Sequence, residues 1–448
     1  MKKTLRILSL ILIISMLSAL LGCDSATGSM MGGGYGGGFE SAPSGGLKED
    51  GDSSSDDATL EDGEEDEKHE ETPKEEKPIY LPAGMITAGA WNDNDYYSMW
   101  QNLFYQMDAE DGTTTQGKFF YYGAKNNWGF NSLKRVKVNV VCDGNPVAGA
   151  TVVANDNNGN TLFSAVSDAQ GNAYLFVTED DGLVSVTSGE GSAYASFDAE
   201  NRELLVELSA KGEKLNVIEI MFLVDVTGSM GDEINFLKAE LADVINKIAE
   251  NDSETLIKLA FLFYRDLDDK VPFYYCDFMD VTDSIGMELR QNELNAQYAS
   301  GGGDYEEAVD EALMKAVEAQ WSTGATTKLI FHVLDAPAHS GSKYETKFNE
   351  AVVKAAQQGI RICPILCSGA AEVTEYTMRQ AAIYTGGTFI FVTDDSGIGG
   401  SHYDPNLPNV TVELLNTMLV RLVKGYHTGE FDNPIYWKED PALATKQQ

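Results

Sequence analysis

The chain has 448 residues, of which 70 are acidic and 32 are basic, so its formal net charge is −38. This excess of acid argues against binding to nucleic acid, which needs a basic face, and against binding to anionic lipid headgroups by charge. The length is sufficient for several folded segments.

Residues 1–22 are predicted to be an export signal. Basic residues precede an apolar stretch, Ile7 to Leu21, that is short for a membrane-spanning helix. The sequence "LLGC", which ends at Cys23, resembles a bacterial lipobox. That resemblance implies a lipid on Cys23, which would anchor the protein in a bilayer on the extracytoplasmic side of the cell membrane or outer envelope.

Residues 23–78 are predicted to be a disordered tether. The segment is first rich in Gly and Ser and then acidic, as in "EDGEEDEKHEETPKEEK", with few side chains that a core could bury. Such a composition stays extended in water because its charges repel one another. Capture of calcium by the acidic run is the alternative, but a solvated spacer explains the composition more simply.

Residues 79–133 are rich in aromatic side chains. If these side chains were exposed, they would form a surface that binds sugar or protein. Because they carry so much apolar area, burial is favoured, and the segment is predicted to be a cap that packs on the next domain.

Residues 134–209 alternate apolar and polar side chains. Runs such as "VKVNVV", "ATVVAN", "NAYLFV", "LVSVTS" and "ELLVEL" are separated by turn dipeptides that include Asp143-Gly144 and Asn158-Gly159. Short strands at this spacing predict a small all-β sandwich. The run that begins "DGNPVAGATVVAN" resembles carboxypeptidase-regulatory or collagen-adhesin B-type repeats, which implies a stalk.

Residues 216–425 alternate apolar runs with helical segments, and residues 426–448 are assigned to a C-terminal tail. The runs "VIEIMFLV", "LIKLAFLFY", "KLIFHVL", "RICPIL" and "TFIFVT" predict buried strands, while "DEINFLKAELADVINKIA" and "YEEAVDEALMKAVEA" each carry one apolar helical stripe. The expected fold class is α/β, with a mostly parallel, doubly wound, Rossmann-like sheet.

Polar side chains follow three of these predicted strands. The first strand is followed by Asp225, Thr227 and Ser229, the glycine-rich loop "SGGGDYEE" contains Asp304, and Asp335 ends "FHVLD". In such sheets, ligands lie beyond the carboxyl ends of the strands. Oxygen ligands without a convergent set of Cys and His favour a hard cation, so Mg²⁺ is expected, with Ca²⁺ or Mn²⁺ as alternatives.

This segment resembles the von Willebrand factor A (VWA) domain. Asp225, Thr227 and Ser229 match the Asp-x-Ser-x-Ser motif of its metal-ion-dependent adhesion site, with Thr in the first Ser position, and Asp335 matches the later aspartate of that site. The strings "FYRD", "GGGDYEEA" and "LDAPAH" resemble the subgroup found beside α-kinases and in some extracellular matrix proteins. The resemblance implies a binding module without catalysis, in which an acidic side chain of a protein partner completes the coordination of the metal.

Asp304 departs from the adhesive pattern, in which this loop supplies threonine. A third carboxylate would hold the cation more tightly and make it less electrophilic. Asp304 is therefore predicted either to contact the metal or to cap the following helix.

Two rival interpretations assign different roles to these residues. A serine hydrolase would use Ser229, Asp335 and His402, although Thr227 stands where a nucleophile elbow requires Gly. A structural site would use Asp225 as a helix N-cap and pair Asp335 with Arg265 or another cation. His402 is expected to be a surface residue, and the loop of residues 393–409, with Asp394 and Asp395 as weaker candidate ligands, is expected to border the site.

The sequence as a whole predicts a lipid-anchored, surface-exposed protein that binds a protein partner through a divalent cation, in adhesion or another envelope interaction. The alternative is a scaffold for envelope assembly or regulation with a structural metal site.

Overall fold

The structure is a computed structural model that describes residues 82–107, 113–251 and 254–444, without the side chains of residues 249–251, 325 and 444. The predictions for the export signal, for Cys23 and for the tether lie outside the described residues. Within the described ranges, no helix is both long and apolar enough to cross a membrane.

The described strands are β1 (Thr87–Trp91), β2 (Tyr105–Met107), β3 (Thr114–Gln116), β4 (Arg135–Cys142), β5 (Asn145–Pro146), β6 (Thr151–Asn155), β7 (Thr161–Val166), β8 (Asn172–Phe176), β9 (Gly182–Ser188), β10 (Gly191–Phe197), β11 (Glu203–Leu208), β12 (Lys214–Asp225), β13 (Leu256–Tyr264), β14 (Phe273–Asp280), β15 (Ala325–Leu334), β16 (Ile360–Leu366), β17 (Phe389–Val392) and β18 (Glu413–Leu414). The described α-helices are α1 (Tyr97–Asn102), α2 (Phe120–Lys125), α3 (Ile234–Asn251), α4 (Ser284–Asn295), α5 (Val309–Val317), α6 (Ser342–Gln358), α7 (Glu372–Thr385), α8 (Leu415–Thr428) and α9 (Pro441–Ala444).

The largest sheet has eight strands in the order β14-β13-β12-β15-β16-β17-β1-β18. Strands β13, β12, β15, β16 and β17 are parallel, as the uninterrupted apolar runs predict. Along β12, Phe222 packs into the core on one face, while Met221 and Leu223 pack into the core on the other. The sheet is therefore covered on both faces, and the predicted α/β, doubly wound fold is confirmed.

Helices from different parts of the chain cover the two faces. The apolar stripe of α3 packs on one face together with α8, and the stripe of α5 packs on the other face together with α6 and α7. Leu237 and Leu241 of α3, and Ala312 and Leu313 of α5, are buried as their helical spacing predicts.

The aromatic-rich segment adds a strand to this sheet. Strand β1 pairs antiparallel with β17 and with β18, with Gly89 opposite Phe391. Farther along the segment, Trp100, Phe104 and Phe119 are buried and contact Tyr376 of α7, directly or through one another. The segment therefore packs on the α/β sheet as expected of a cap and also extends it, while the boundaries of the cap remain a prediction.

Residues 135–208 form two small sheets, β10-β9-β6-β7 and β11-β4-β5 with β8 also paired to β4. Asp143 and Gly144 both have positive φ angles, 51° and 72°, and connect β4 to β5 with Cys142 opposite Asn145. This is the two-residue hairpin that an Asp-Gly dipeptide favours. Each of the five runs predicted to be a strand forms a strand in the structure. Strands β5, β7 and β10 are also present and were not predicted.

The β-sandwich packs against helices α6 and α7, which cover one face of the α/β sheet. Tyr384 of α7 stacks on Phe176 with the ring centroids 4.3 Å apart and meets Phe163 edge-on at 5.6 Å. The side chains of both parts belong to one hydrophobic cluster, and all described residues fall in one compact unit. The sandwich lies beside α6 and α7 because these aromatic side chains are buried between them, and its role as a stalk remains a prediction.

Candidate metal centre at the carboxyl end of the sheet

The first motif forms a tight hydrogen-bonded turn at the end of β12. Oδ1 of the buried Asp225 accepts hydrogen bonds from the backbone N–H of Thr227 at 2.9 Å and from its hydroxyl at 2.7 Å. The Thr227 and Ser229 hydroxyl oxygens lie 3.1 Å apart. Ser229 is exposed, so this array of three oxygen-bearing side chains leads from the core to the surface.

Asp335 joins this array from the end of β15. Its side chain is buried, and the Ser229 hydroxyl interacts with its carboxylate. Oδ2 of Asp225 and Oδ1 of Asp335 are both buried and have no hydrogen-bond partner. Buried carboxylate oxygens are costly without a partner, so a cation that both could bind would satisfy them.

The electrostatics of the pair also favour a cation. Burial raises the pKa of Asp225 to about 7, and the charge of Asp335 acts in the same direction. Burial likewise raises the pKa of Asp335 to about 6. A divalent cation would stabilise both carboxylates in their charged form, and four oxygen donors without a thiolate suit Mg²⁺, Ca²⁺ or Mn²⁺.

The glycine-rich loop lies directly against the first motif. The N–H of Gly228 donates to the carbonyl of Gly301, and Gly302 donates its N–H to Asp269 Oδ2 at 2.9 Å. Gly301 and Gly302 have φ angles of +79° and +73°, and a Cβ on Gly301 would lie 2.3 Å from Asp269 Oδ1. The two glycines are thus needed for both the backbone conformation and the close approach.

Glu307 lies beneath this loop and was missed by the sequence analysis. Its side chain is buried, its Oε2 has no hydrogen-bond partner, and its Oε1 would lie 2.8 Å from a Cβ on Gly302. Burial raises its pKa to about 9. Four neighbouring carboxylates act in the same direction: Asp225, Asp266, Asp335 and Asp304. A glutamate next to Glu306, just before an apolar helix, gives no sequence signal that it is buried.

The structure places Asp304 in a different group of side chains. Its carboxylate lies with Asp266 and His339, and one ligand atom from each lies within 4.8 Å of the others. The prediction that Asp304 caps a helix is wrong, because α5 begins at Val309 and its N-cap residue is Ala308. Metal contact by Asp304 remains a prediction.

The contacts of His402 do not fit the serine hydrolase interpretation. Nε2 of His402 lies 2.6 Å from Glu233 Oε1, and its Nδ1 lies 2.7 Å from Asp394 Oδ1. Both ring nitrogens are thus engaged away from Ser229. The expectation of a surface residue is wrong, because the side chain is only 3% exposed where the loop of residues 393–409 folds onto Glu233.

That loop borders the centre as expected. Asp232, at the end of the turn that contains Ser229, accepts hydrogen bonds from Gly400 N–H at 2.5 Å and from the Ser368 hydroxyl at 3.1 Å. Asp394 is engaged by His402, which leaves its role as a ligand a prediction, together with that of Asp395.

The purely structural interpretation also needs contacts other than those present. Arg265 donates to the carbonyl oxygens of Ser300 and Tyr298 rather than to Asp335. The first motif leads into a 3₁₀ turn, Gly228–Asp232, whose N-cap residue is Thr227 with no side-chain cap, so the helix-cap role predicted for Asp225 is wrong. Asp225 bonds within its own turn instead.

Comparisons with known proteins support one family. Residues 219–394 match the family model of the von Willebrand factor A domain. No curated protein matches the chain. Domains of this family are generally interaction modules rather than enzymes and often bind a divalent metal ion.

Three solved structures resemble the chain at low sequence identity. The conserved hypothetical protein BatB from Bacteroides thetaiotaomicron is 14% identical, with 39% of this chain and 90% of that chain covered and a TM-score of 0.30. For the pilus adhesin SpaC from Lactobacillus rhamnosus GG, the identity is 10%, the coverage 64% and 35%, and the TM-score 0.35. A von Willebrand factor type A protein from Catenulispora acidiphila is 13% identical, with 63% of this chain and 51% of that chain covered and a TM-score of 0.31.

The chain spans only about a third of SpaC and half of the Catenulispora protein. The family model covers the second half of β12, all of β13 to β17, and Asp225, Thr227, Ser229 and Asp335. The resemblance stated from the sequence is thereby confirmed for this segment: residues 219–394 form a von Willebrand factor A domain.

Proposed function

We propose that this domain binds a divalent cation, with Mg²⁺ as the expected ion, and uses it to bind a protein partner. The observation that carries the proposal is the pair of buried carboxylate oxygens, Asp225 Oδ2 and Asp335 Oδ1, that have no hydrogen-bond partner. Thr227 and Ser229 add neutral oxygens next to this pair. Neutral donors leave a cation more electron-poor than additional carboxylates would.

The exposure of Ser229 supports the step from metal binding to partner binding. Asp225 and Thr227 are buried, whereas Ser229 faces solvent. A cation held by these side chains would be reached from the surface and would accept a carboxylate from an acidic side chain of the partner. This arrangement favours recognition over catalysis, because the nearby histidine, His402, is held by Glu233 and Asp394.

The biological setting is proposed from the sequence alone. A lipid on Cys23 would hold the protein at the cell membrane or outer envelope, where metal-dependent partner binding would serve adhesion or another envelope interaction. A scaffold in envelope assembly or regulation with a structural metal site is the second candidate. In a scaffold of this kind, the cation would not exchange a ligand with a partner.

A thermal melt tests the metal site. Mg²⁺ is expected to raise the melting temperature of the wild-type protein, since an ion that binds only the folded state stabilises it. Asp225→Ala and Asp335→Ala are each expected to abolish that rise, while Asp268→Asn, an exposed carboxylate in a neighbouring loop, is expected to keep it. An unchanged Mg²⁺ response in both alanine variants would reject the site.

A pull-down separates adhesion from a structural metal. The full chain would be used to capture proteins from envelope and host-surface extracts, with Mg²⁺ and then with EDTA. Partner capture that requires Mg²⁺ and is lost in Ser229→Ala, under conditions where the variant remains folded, supports ligand exchange at the cation. Capture that persists in EDTA counts against it.

A further inference from the structure

A second group of metal-ligand side chains lies beside the first centre. Asp266, Asp304 and His339 each present one ligand atom within 4.8 Å of the other two, and His339 Nε2 lies 3.3 Å from Asp266 Oδ1. Each residue comes from a different loop at the same edge of the sheet. They belong to the three strings "FYRD", "GGGDYEEA" and "LDAPAH", of which the first centre uses only Asp335.

Hydrogen bonds hold these three loops against one another. Glu307 N–H donates to the Pro337 carbonyl at 3.0 Å, and Ser340 N–H donates to Glu306 Oε2 at 3.0 Å, so the loops that carry Asp304 and His339 are joined on both sides. Asp269 joins the third loop, since its Oδ2 accepts the N–H groups of both Asp266 and Gly302. Backbone and side-chain hydrogen bonds therefore hold the three loops that carry the group.

A buried carboxylate without a partner lies against the glycine-rich loop that carries Asp304. Glu307 is 2% exposed and its Oε2 has no hydrogen-bond partner. Burial raises its pKa, and the charges of Asp225, Asp266, Asp335 and Asp304 act in the same direction, so its carboxylate interacts with the acidic side chains of both groups. His339 Nδ1 is likewise buried without a partner. A cation in this group would offset the repulsion among the three carboxylates.

We propose that Asp266, Asp304 and His339 form a second cation site, selective for a divalent transition metal such as Zn²⁺, with Glu307 as a further ligand from below. The ligand set differs from that of the first centre because it contains an imidazole. Imidazole with carboxylates suits Zn²⁺ and related transition metals, whereas Mg²⁺ prefers oxygen ligands and retains its water. Two cations of different chemistry would then lie side by side at one edge of the sheet.

The spacing of the donors is compatible with such an ion. Ligand atoms about 2.1 Å from a tetrahedral Zn²⁺ lie about 3.4 Å from one another. The His339–Asp266 pair, at 3.3 Å, already has this spacing. Asp304 is exposed and follows three glycines, so its side chain can close the remaining gap without disturbing the core.

Calorimetric titration of the full chain with Zn²⁺, in saturating Mg²⁺, tests the second site. Because Mg²⁺ is expected to occupy the first centre, the heat released when one Zn²⁺ ion binds tightly reports binding at the second site. His339→Ala and Asp304→Asn are each expected to weaken this binding by at least about tenfold. Asp304→Asn is the safer variant for folding because its side chain is exposed.

Three further variants separate this site from other places where Zn²⁺ could bind. Asp225→Asn is expected to lose the Mg²⁺ response and keep the tight Zn²⁺, so failure of the first centre is distinguishable from failure of the second. Asp268→Asn, next to the group, and His69→Ala, in the acidic N-terminal segment, are expected to bind Zn²⁺ like the wild type. Wild-type Zn²⁺ affinity in His339→Ala, or loss of the tight Zn²⁺ in Asp225→Asn or His69→Ala, would overturn the proposal.

Discussion

Asp225 and Asp335 are the residues on which the first centre depends. Each has one carboxylate oxygen that the folded protein leaves buried and without a hydrogen-bond partner, and their charges repel each other. Thr227 satisfies the other oxygen of Asp225. Without a cation, the folded chain therefore bears an electrostatic cost at this point, and that cost should be measurable as a dependence of stability on pH.

The sign of this dependence follows from the pKa of Asp225. The pKa rises from 3.8 to about 7 on folding, so the folded state binds the proton more tightly than the unfolded state does. The contribution of this group to stability is fully present below pH 3.8 and is lost as the pH rises toward 7. The difference corresponds to roughly 4 kcal/mol.

We therefore expect metal-free Asp225→Asn to be more stable than the wild type at pH 8, and this advantage to shrink as the pH falls toward 4. Denaturant unfolding in EDTA at several pH values measures the difference. In excess Mg²⁺ at pH 8, the order of stability should reverse, because only the wild type gains from the ion. The same order with and without Mg²⁺ would mean that no cation compensates the Asp225 carboxylate.

At the scale of elements, the glycine-rich loop positions both groups of ligands. Gly228 and Gly302 tie it to the first motif and to Asp269, and Asp304 follows on its far side. The three consecutive glycines of the loop, residues 301–303, are not equivalent. Gly301 and Gly302 have positive φ angles and close neighbours, whereas a Cβ on Gly303 would meet nothing within 4 Å.

Gly301→Ala is expected to destabilise the protein and to weaken Mg²⁺ binding, since a left-handed backbone with a Cβ costs about 1–2 kcal/mol and the added methyl also collides with Asp269. Gly303→Ala is the matched control and should behave like the wild type. Thermal melts with and without Mg²⁺ measure both effects. Equal effects of the two substitutions would show that the loop conformation in the structure is not the one that matters for the site.

The sequence predicted those elements whose own residues determine their structure. The five parallel strands are uninterrupted apolar runs, and α3 and α5 carry full apolar stripes, so the local pattern was sufficient. Strand β14 was missed because it is an antiparallel edge strand with mostly exposed or half-buried residues. Strand β1 was missed because its place beside β17 depends on partners some 300 residues away.

The candidate site also contains residues that the sequence predicted and residues that it did not. Asp225, Thr227, Ser229 and Asp335 follow strands that meet at one edge, so their grouping follows from topology. Burial of Glu307 and the joining of Asp304 with Asp266 and His339 depend on how three loops pack. Loop packing leaves no periodic signal in the sequence, and a glutamate is ordinarily expected at the surface.

At the scale of the whole molecule, a buried charged triad joins the N-terminal segment to the VWA domain. Arg379 of α7 donates from Nη2 to Asp93 Oδ1 at 2.6 Å and from Nη1 to Glu375 Oε1 at 2.8 Å. All three side chains are at most 1% exposed. The guanidinium group also lies 5.3 Å from the ring centroid of Trp100, so charge and aromatic packing act at the same contact.

Arg379→Met is expected to destabilise the protein by about 3–5 kcal/mol, because it leaves the buried Asp93 carboxylate without a cation and leaves Glu375 with only the partly exposed Lys118. Lys354→Met is the control, since Lys354 pairs with Glu318 at the surface, and its unfolding free energy should stay close to the wild-type value. Denaturant unfolding measures both. A small effect of Arg379→Met would show that the N-terminal segment and the VWA domain do not depend on this triad.

The central claim is that Asp225 and Asp335 share one divalent cation. Anomalous diffraction from crystals grown with Mn²⁺ tests it most directly, because the ion is located without reference to stability or partner binding. We expect an anomalous peak within coordination distance of Asp225 Oδ2 and Asp335 Oδ1, next to the Ser229 hydroxyl, that is absent in Asp225→Asn crystals. A fully occupied Mn²⁺ site elsewhere in the protein, with no anomalous peak between these two carboxylates, would contradict this claim.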